Sequence, residues 1–126
     1  AELRCKNGWD QMLYARSRVV HAAASAGLDV IDVPYLDLAD LDGMKILAQQ
    51  AKDLGFAGKG SIHPKQIAPL NKIFTPSDEE ISRARRIIKT FEDAETGLVV
   101  IDGKLIEKPV MREMYRIVSI AEKLGH

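Results

Sequence analysis

Apolar positions across residues 11–26, namely Met12, Leu13, Val19, Val20 and Ala23, recur near helical spacing with Arg16 and Arg18 between them. They predict a helix that Gly27 stops. Residues 28–35, Leu-Asp-Val-Ile-Asp-Val-Pro-Tyr, are short, rich in branched side chains and closed by Pro34, which predicts a buried strand. A loop with Asp37, Asp40 and Asp42 follows. Asp40 is placed to cap a helix whose set Leu41, Met44, Leu47, Ala48, Ala51 and Leu54 keeps a 3.6-residue period until Gly55. Residues 56–62 form a second, glycine-rich strand. Pro64 then fits the first turn of a helix through Gln66, Ile67, Leu70 and Ile73.

Alternation of strand and helix implies an α/β chain with parallel strands and right-handed crossovers, in an open doubly wound sheet or in part of a barrel. Two parallel strands leave faces uncovered, so the pattern calls for further strands from upstream of Ala1 or from a partner chain. A first residue that is alanine, not methionine, agrees with a fragment. After Thr75-Pro76 the pattern changes. Ser77 with Glu80 is a capping box opening a helix striped by Ile81, Ala84, Ile87, Ile88 and Phe91. Residues 98–101, the pair Asp102-Gly103 and residues 104–107 read as a two-residue hairpin. Pro109 starts a last helix whose Val110, Met114, Ile117, Val118, Ala121 and Leu124 are expected to face inward. Residues 76–126 are thus an appendage of helix, hairpin and helix on residues 1–75.

The 126 residues carry 18 basic and 18 acidic side chains, for a formal charge of zero and a pI near 7.1. A nucleic-acid partner is not expected, because the broad basic field it needs is absent. No membrane association is expected either, since no run approaches the ~18 apolar residues of a span. The single cysteine, Cys5, has no CxxC partner and these residues open on no charged-apolar-small signal pattern, although a truncated chain could have lost one, so the expectation is an ordinary thiol in a reducing, cytoplasmic setting.

Candidate chemistry is sparse. Residues 55–61, Gly-Phe-Ala-Gly-Lys-Gly-Ser, have two residues between the first glycines and Gly60 between Lys59 and Ser61, which excludes a Walker loop. Asp40 and Asp42 as third and fifth calcium ligands would put Leu38 first and Gln49 twelfth, so both obligatory carboxylates are missing. His63 stands before a helix amino terminus, where it either caps the helix or joins free N–H groups at an anion. His21, among alanines, and the terminal His126 suggest no site. Glu107, at the end of the hairpin, reads by position alone as a solvated charge.

Taken in order, residues 56–59 (Phe-Ala-Gly-Lys), 62–67 (Ile-His-Pro-Lys-Gln-Ile), Asn71 and residues 74–77 (Phe-Thr-Pro-Ser) with Glu80 and Ala84 closely resemble the citrate lyase β-subunit-like branch of the HpcH/HpaI aldolase superfamily. Residues 14–18, Tyr35 to Asp40 and residues 102–104 fit as well. The resemblance implies the carboxyl-terminal portion of a TIM (β/α)8 barrel, whose whole needs roughly 250 residues: residues 1–75 would be its last βα units, and residues 76–126 an extension acting as lid or oligomer contact. It implies a Mg²⁺-dependent carbon–carbon lyase that cleaves a 3-hydroxyacyl thioester of the malyl-CoA, citramalyl-CoA or citryl type to acetyl-CoA and a 2-oxo acid. The Mg²⁺ ligands would lie upstream of this stretch. Ile62, His63 and Pro64 would lie against coenzyme A, His63 binding and not acting as a base. Glu107, where the family usually has aspartate, would exchange a proton with the enolate carbon in a neighbouring subunit's site, which implies a homo-oligomer, a trimer or hexamer. A catalytically silent CoA-binding or assembly subunit is the alternative.

Overall fold

The computed structural model describes residues 3–126. The chain divides into two compact units, one ending at Phe74 and the other running from Thr75 to His126.

In the first unit, helix α1 (Trp9–Ser25) leads to strand β1 (Ile31–Asp32), helix α2 (Leu41–Leu54), strand β2 (Gly58–Lys59) and helix α3 (Pro64–Phe74). The strands are parallel, with Ile31 opposite Gly58 and Asp32 opposite Lys59. Their ladder is extended by Ala57 N–H to the Val30 carbonyl and Gly60 N–H to the Asp32 carbonyl. Only two residues of each expected strand are paired, because the polypeptide offers each strand one neighbour here. Asp40 caps α2, its carboxylate accepting the Gly43 N–H at 2.9 Å. Met44 and Ala48 of α2 and Leu70 of α3 form the core, with Tyr35, Leu41, Ile73 and Phe74 packed against it.

At three places burial does not follow hydrophobicity alone. Ile31 and Val33 are 67% and 61% exposed while Asp32 between them is buried, so one face of the strand is uncovered within the described residues, as two parallel strands by themselves require. In α1 it is Arg16, not the apolar set, that is buried, and Leu13 and Val19 are exposed. In α3 Ile67 is exposed and Gln66 buried. In each case a polar side chain finds hydrogen-bond partners inside, which offsets its desolvation.

In the second unit, helix α4 (Asp78–Asp93) is opened by the complete capping box of Ser77 and Glu80. Strands β3 (Val99–Ile101) and β4 (Lys104–Ile106) pair antiparallel around Asp102-Gly103. Both turn residues have positive φ, 51° and 73°, as a twist-matched two-residue turn requires. Helix α5 (Lys108–Lys123) follows. Ala84, Ile87, Ile101, Ile106, Met111 and Met114 make this unit's core. The inward stripe of α5 begins at Met111: Val110 and Leu124, expected inside, are exposed. Among the described residues no helix is long and apolar enough to cross a membrane.

Candidate functional site

Parallel pairing puts register partners on one face of a sheet, and Asp32 and Lys59 are such partners. Their side chains meet: Lys59 Nζ lies 2.9 Å from Asp32 Oδ2, with side-chain exposures of 1% and 3%. The other oxygen, Oδ1, accepts from Arg16 Nε at 3.0 Å. The Arg16 guanidinium also sits over the Trp9 ring, 5.2 Å from its centroid. Two buried cations therefore share one buried carboxylate, and Arg16 Nη1 has no hydrogen-bond partner among the described residues. Burial pushes the Lys59 ammonium below its ordinary pKa; the Asp32 contact works against that, and the charge of Arg16 adds to it.

Lys59 also donates to the Val33 carbonyl at 2.6 Å, holding the chain where it leaves β1. Tyr35 Oη donates to Asp40 Oδ2 at 2.7 Å. That bond holds the Asp40 carboxyl below the usual range, with help from the Gly43 N–H, and raises the Tyr35 phenol. A Cβ at position 43 would lie 2.0 Å from Asp40 Oδ2 and 2.6 Å from Tyr35 Oη, so this latch needs glycine there. A cavity of about 360 Å³ opens beside it, with Arg16, Pro34, Tyr35, Asp37 and Lys59 in its wall. The charged side chains of its wall, Arg16, Lys59 and Asp37, sum to a formal charge of +1, and the buried Asp32 that Arg16 and Lys59 share lies behind them.

Ile62, His63 and Pro64 are contiguous at the entry to α3. Ile62 is half exposed and Pro64 exposed. His63 Nδ1 accepts the Lys65 N–H at 3.1 Å, and its carbonyl accepts the Gln66 N–H. The imidazole thus caps α3 as the Nε2–H tautomer, leaving Nε2 unbonded among the described residues. Glu107 belongs to the second unit. It is the N-cap residue of α5, exposed, and its side chain makes no capping bond.

The buried trio of Arg16, Asp32 and Lys59 escaped sequence reasoning. Its signal was an aspartate inside the apolar run of residues 30–33 and a lysine between Gly58 and Gly60. Among the described residues no three histidine, cysteine or carboxylate side chains converge to hold a metal, so these residues do not fit a divalent cation.

A family model described as HpcH/HpaI aldolase/citrate lyase matches residues 2–64, half of the chain. The chain belongs to this family. Its HpcH/HpaI relatives include the citrate lyase subunit beta of Leuconostoc mesenteroides subsp. cremoris, 33% identical over 88% of this chain and 38% of the relative. The mitochondrial citramalyl-CoA lyase of Rattus norvegicus is 35% identical over 90% of this chain and 34% of its own length. The chain therefore spans little more than a third of these curated relatives. Among solved structures, CitE from Mycobacterium tuberculosis, in complex with magnesium, acetoacetate and coenzyme A, superposes with a TM-score of 0.72 at 29% identity, covering 86% of this chain and 40% of CitE. A citrate lyase structure from Burkholderia xenovorans, 24% identical, shares the fold with a TM-score of 0.77 over 94% of this chain and 38% of its own.

Proposed function

We propose that this chain is the carboxyl-terminal part of a lyase that breaks a carbon–carbon bond in a 3-hydroxyacyl-CoA thioester of the malyl, citramalyl or citryl type, giving acetyl-CoA and a 2-oxo acid. The observation that carries this reading is the 33–36% identity to citrate lyase β subunits and citramalyl-CoA lyases over 88–90% of the chain. In this reading residues 1–75 are the last βα units of a TIM barrel, and the exposed Ile31 and Val33 face is covered by the barrel's other strands. Residues 76–126 form the extension that meets a neighbouring subunit in a homo-oligomer. The protein works in the cytoplasm, where a lone thiol such as Cys5 is unremarkable.

Cleavage leaves an enolate whose negative charge has to be stabilised. The relative CitE was crystallised with magnesium. The described residues do not fit that ion, so its ligands are assigned to the rest of the polypeptide. What these residues do is bind and move a proton. Ile62, His63 and Pro64 form a wall for the coenzyme, His63 offering Nε2–H as a donor because Nδ1 is engaged by the helix. Glu107, whose carboxylate makes no capping bond to α5, exchanges a proton with the enolate carbon. Its extra methylene relative to aspartate matters, since a ~1 Å misplacement can cost about a hundredfold in rate.

The test is to supply the complete protein with malyl-CoA, citramalyl-CoA and citryl-CoA in the presence of Mg²⁺ and to measure the 2-oxo acid released. Turnover of one thioester is expected, with none from the 126-residue chain alone. Coenzyme binding without turnover of any would favour a silent CoA-binding subunit instead.

A further inference from the structure

The segments that leave β1 and β2 are joined through one side chain. Gln66, in the first turn of α3, is 3% exposed. A carboxamide taken from water costs free energy unless both of its ends are bonded. Both are: Nε2 donates to the Tyr35 carbonyl at 3.0 Å, and Oε1 accepts the Ile62 N–H at 3.0 Å and the Ser61 hydroxyl at 3.3 Å. A carbonyl at one end and an N–H at the other fix which way the amide faces. The same side chain thus reaches the loop after β1, which the Tyr35–Asp40 bond closes, and the segment that carries Ile62 and His63.

We propose that Gln66 is a positioning residue that holds the loop of residues 33–40 and the segment of residues 60–63 as one rigid piece, and so sets where Ile62 and His63 meet the acyl-CoA. The coenzyme half of this statement rests on the proposed function; the coupling of the two segments does not. Glutamate keeps the acceptor for Ile62 but, when ionised, has no donor for the Tyr35 carbonyl. Methionine has neither. Loss of one hydrogen bond corresponds to roughly a five- to tenfold change in an equilibrium.

The experiment is residue-resolved amide exchange on the complete protein, with steady-state kinetics, for Gln66→Glu and Gln66→Met. In Gln66→Met, protection should fall about five- to tenfold at Ile62 and at Ala39 and Asp40, while Ala48 and Ala51 inside α2 hold their protection. Gln66→Glu should lose protection at Ala39 and Asp40 alone. Should the glutamate variant fail to fold, the methionine variant decides. KM for the thioester should rise about fivefold in both with kcat little changed, the mark of lost binding. Unchanged exchange at Ile62 and Asp40 in Gln66→Met, or an equal loss at Ala48, would overturn the proposal. So would an unchanged KM in the Gln66 variants when His63→Ala raises it. If His63→Ala also leaves KM unchanged, the coenzyme contact is wrong and the proposed function loses that element, while the exchange pattern decides the coupling by itself.

Discussion

Replacing Asp32 by asparagine preserves its shape and removes the one anion that Arg16 and Lys59 share. The trio passes from a formal charge of +1 to +2, with the arginine and lysine side chains only 9% and 1% exposed. Breaking a buried ion pair by deleting one partner costs about 3–5 kcal/mol, because an uncompensated charge stays behind. Lys59→Met works the other way: it leaves the Arg16–Asp32 pair formally neutral, with no net buried charge, and strands Asp32 Oδ2 and the Val33 carbonyl as acceptors, a cost of about 1–3 kcal/mol. Asp32→Asn should therefore be the worse substitution, and should cost less when Lys59→Met is already present. Native-state amide exchange in the complete protein reads this at Ala57 and Gly60, whose bonds bridge the two strands. At 1.4 kcal/mol per decade, the protection of both should drop by roughly two to three and a half decades in Asp32→Asn. Protection within threefold of wild type, or a larger loss in Lys59→Met, would show that Asp32 is not the anion holding the two cations.

Alanine at position 43 would force apart the Tyr35–Asp40 latch, so Gly43→Ala should lower stability by about 1–3 kcal/mol in urea titration, although alanine is the better helix former by ~1 kcal/mol; a stabilised variant would contradict the geometry. The same latch has a defined pH window. The folded state holds Asp40 below its unfolded pKa, so that contribution is present above the carboxylate range and lost as pH falls through the folded value. Tyr35 is raised, so its contribution is whole below about pH 10 and lost as pH rises past the folded value. The stability difference between wild type and Tyr35→Phe should accordingly be constant from pH 5 to 8, and a slope there would contradict the assignment. Glu107→Gln in the complete protein should lower kcat by ~10²–10⁴-fold with KM little changed, as for loss of a positioned acid or base; full activity would return Glu107 to a solvated charge.

Local grammar was legible because its causes are local. The caps at Asp40 and Ser77, the proline start of α3 and the Asp102-Gly103 turn each depend on residues within four positions, and each forms as its sequence indicates. Strand extent was not legible, since pairing over two residues or seven depends on which neighbours are present. Burial in α1 and α3 was not legible for a related reason. Periodicity ranks side chains by hydrophobicity, whereas Arg16 and Gln66 go inside because Asp32, Tyr35 and Ile62, distant by four to 31 positions, supply bonds to them. Of the candidate site, His63 was recognisable as a cap or a ligand contact from its place before Pro64. The hydrogen bond from Lys65 shows the cap. Nothing in the spacing of residues marks Glu107, whose proposed role comes from family likeness.

Carbon–carbon cleavage through an enolate leaves an isotopic signature, and the mass of the acetyl-CoA formed by the complete protein in D₂O reads it. Each turnover should deliver one solvent deuteron to the acetyl methyl group, with the 2-oxo acid appearing in equal amount. Release of free coenzyme A with the hydroxy acid intact, or acetyl-CoA without deuterium, would contradict it.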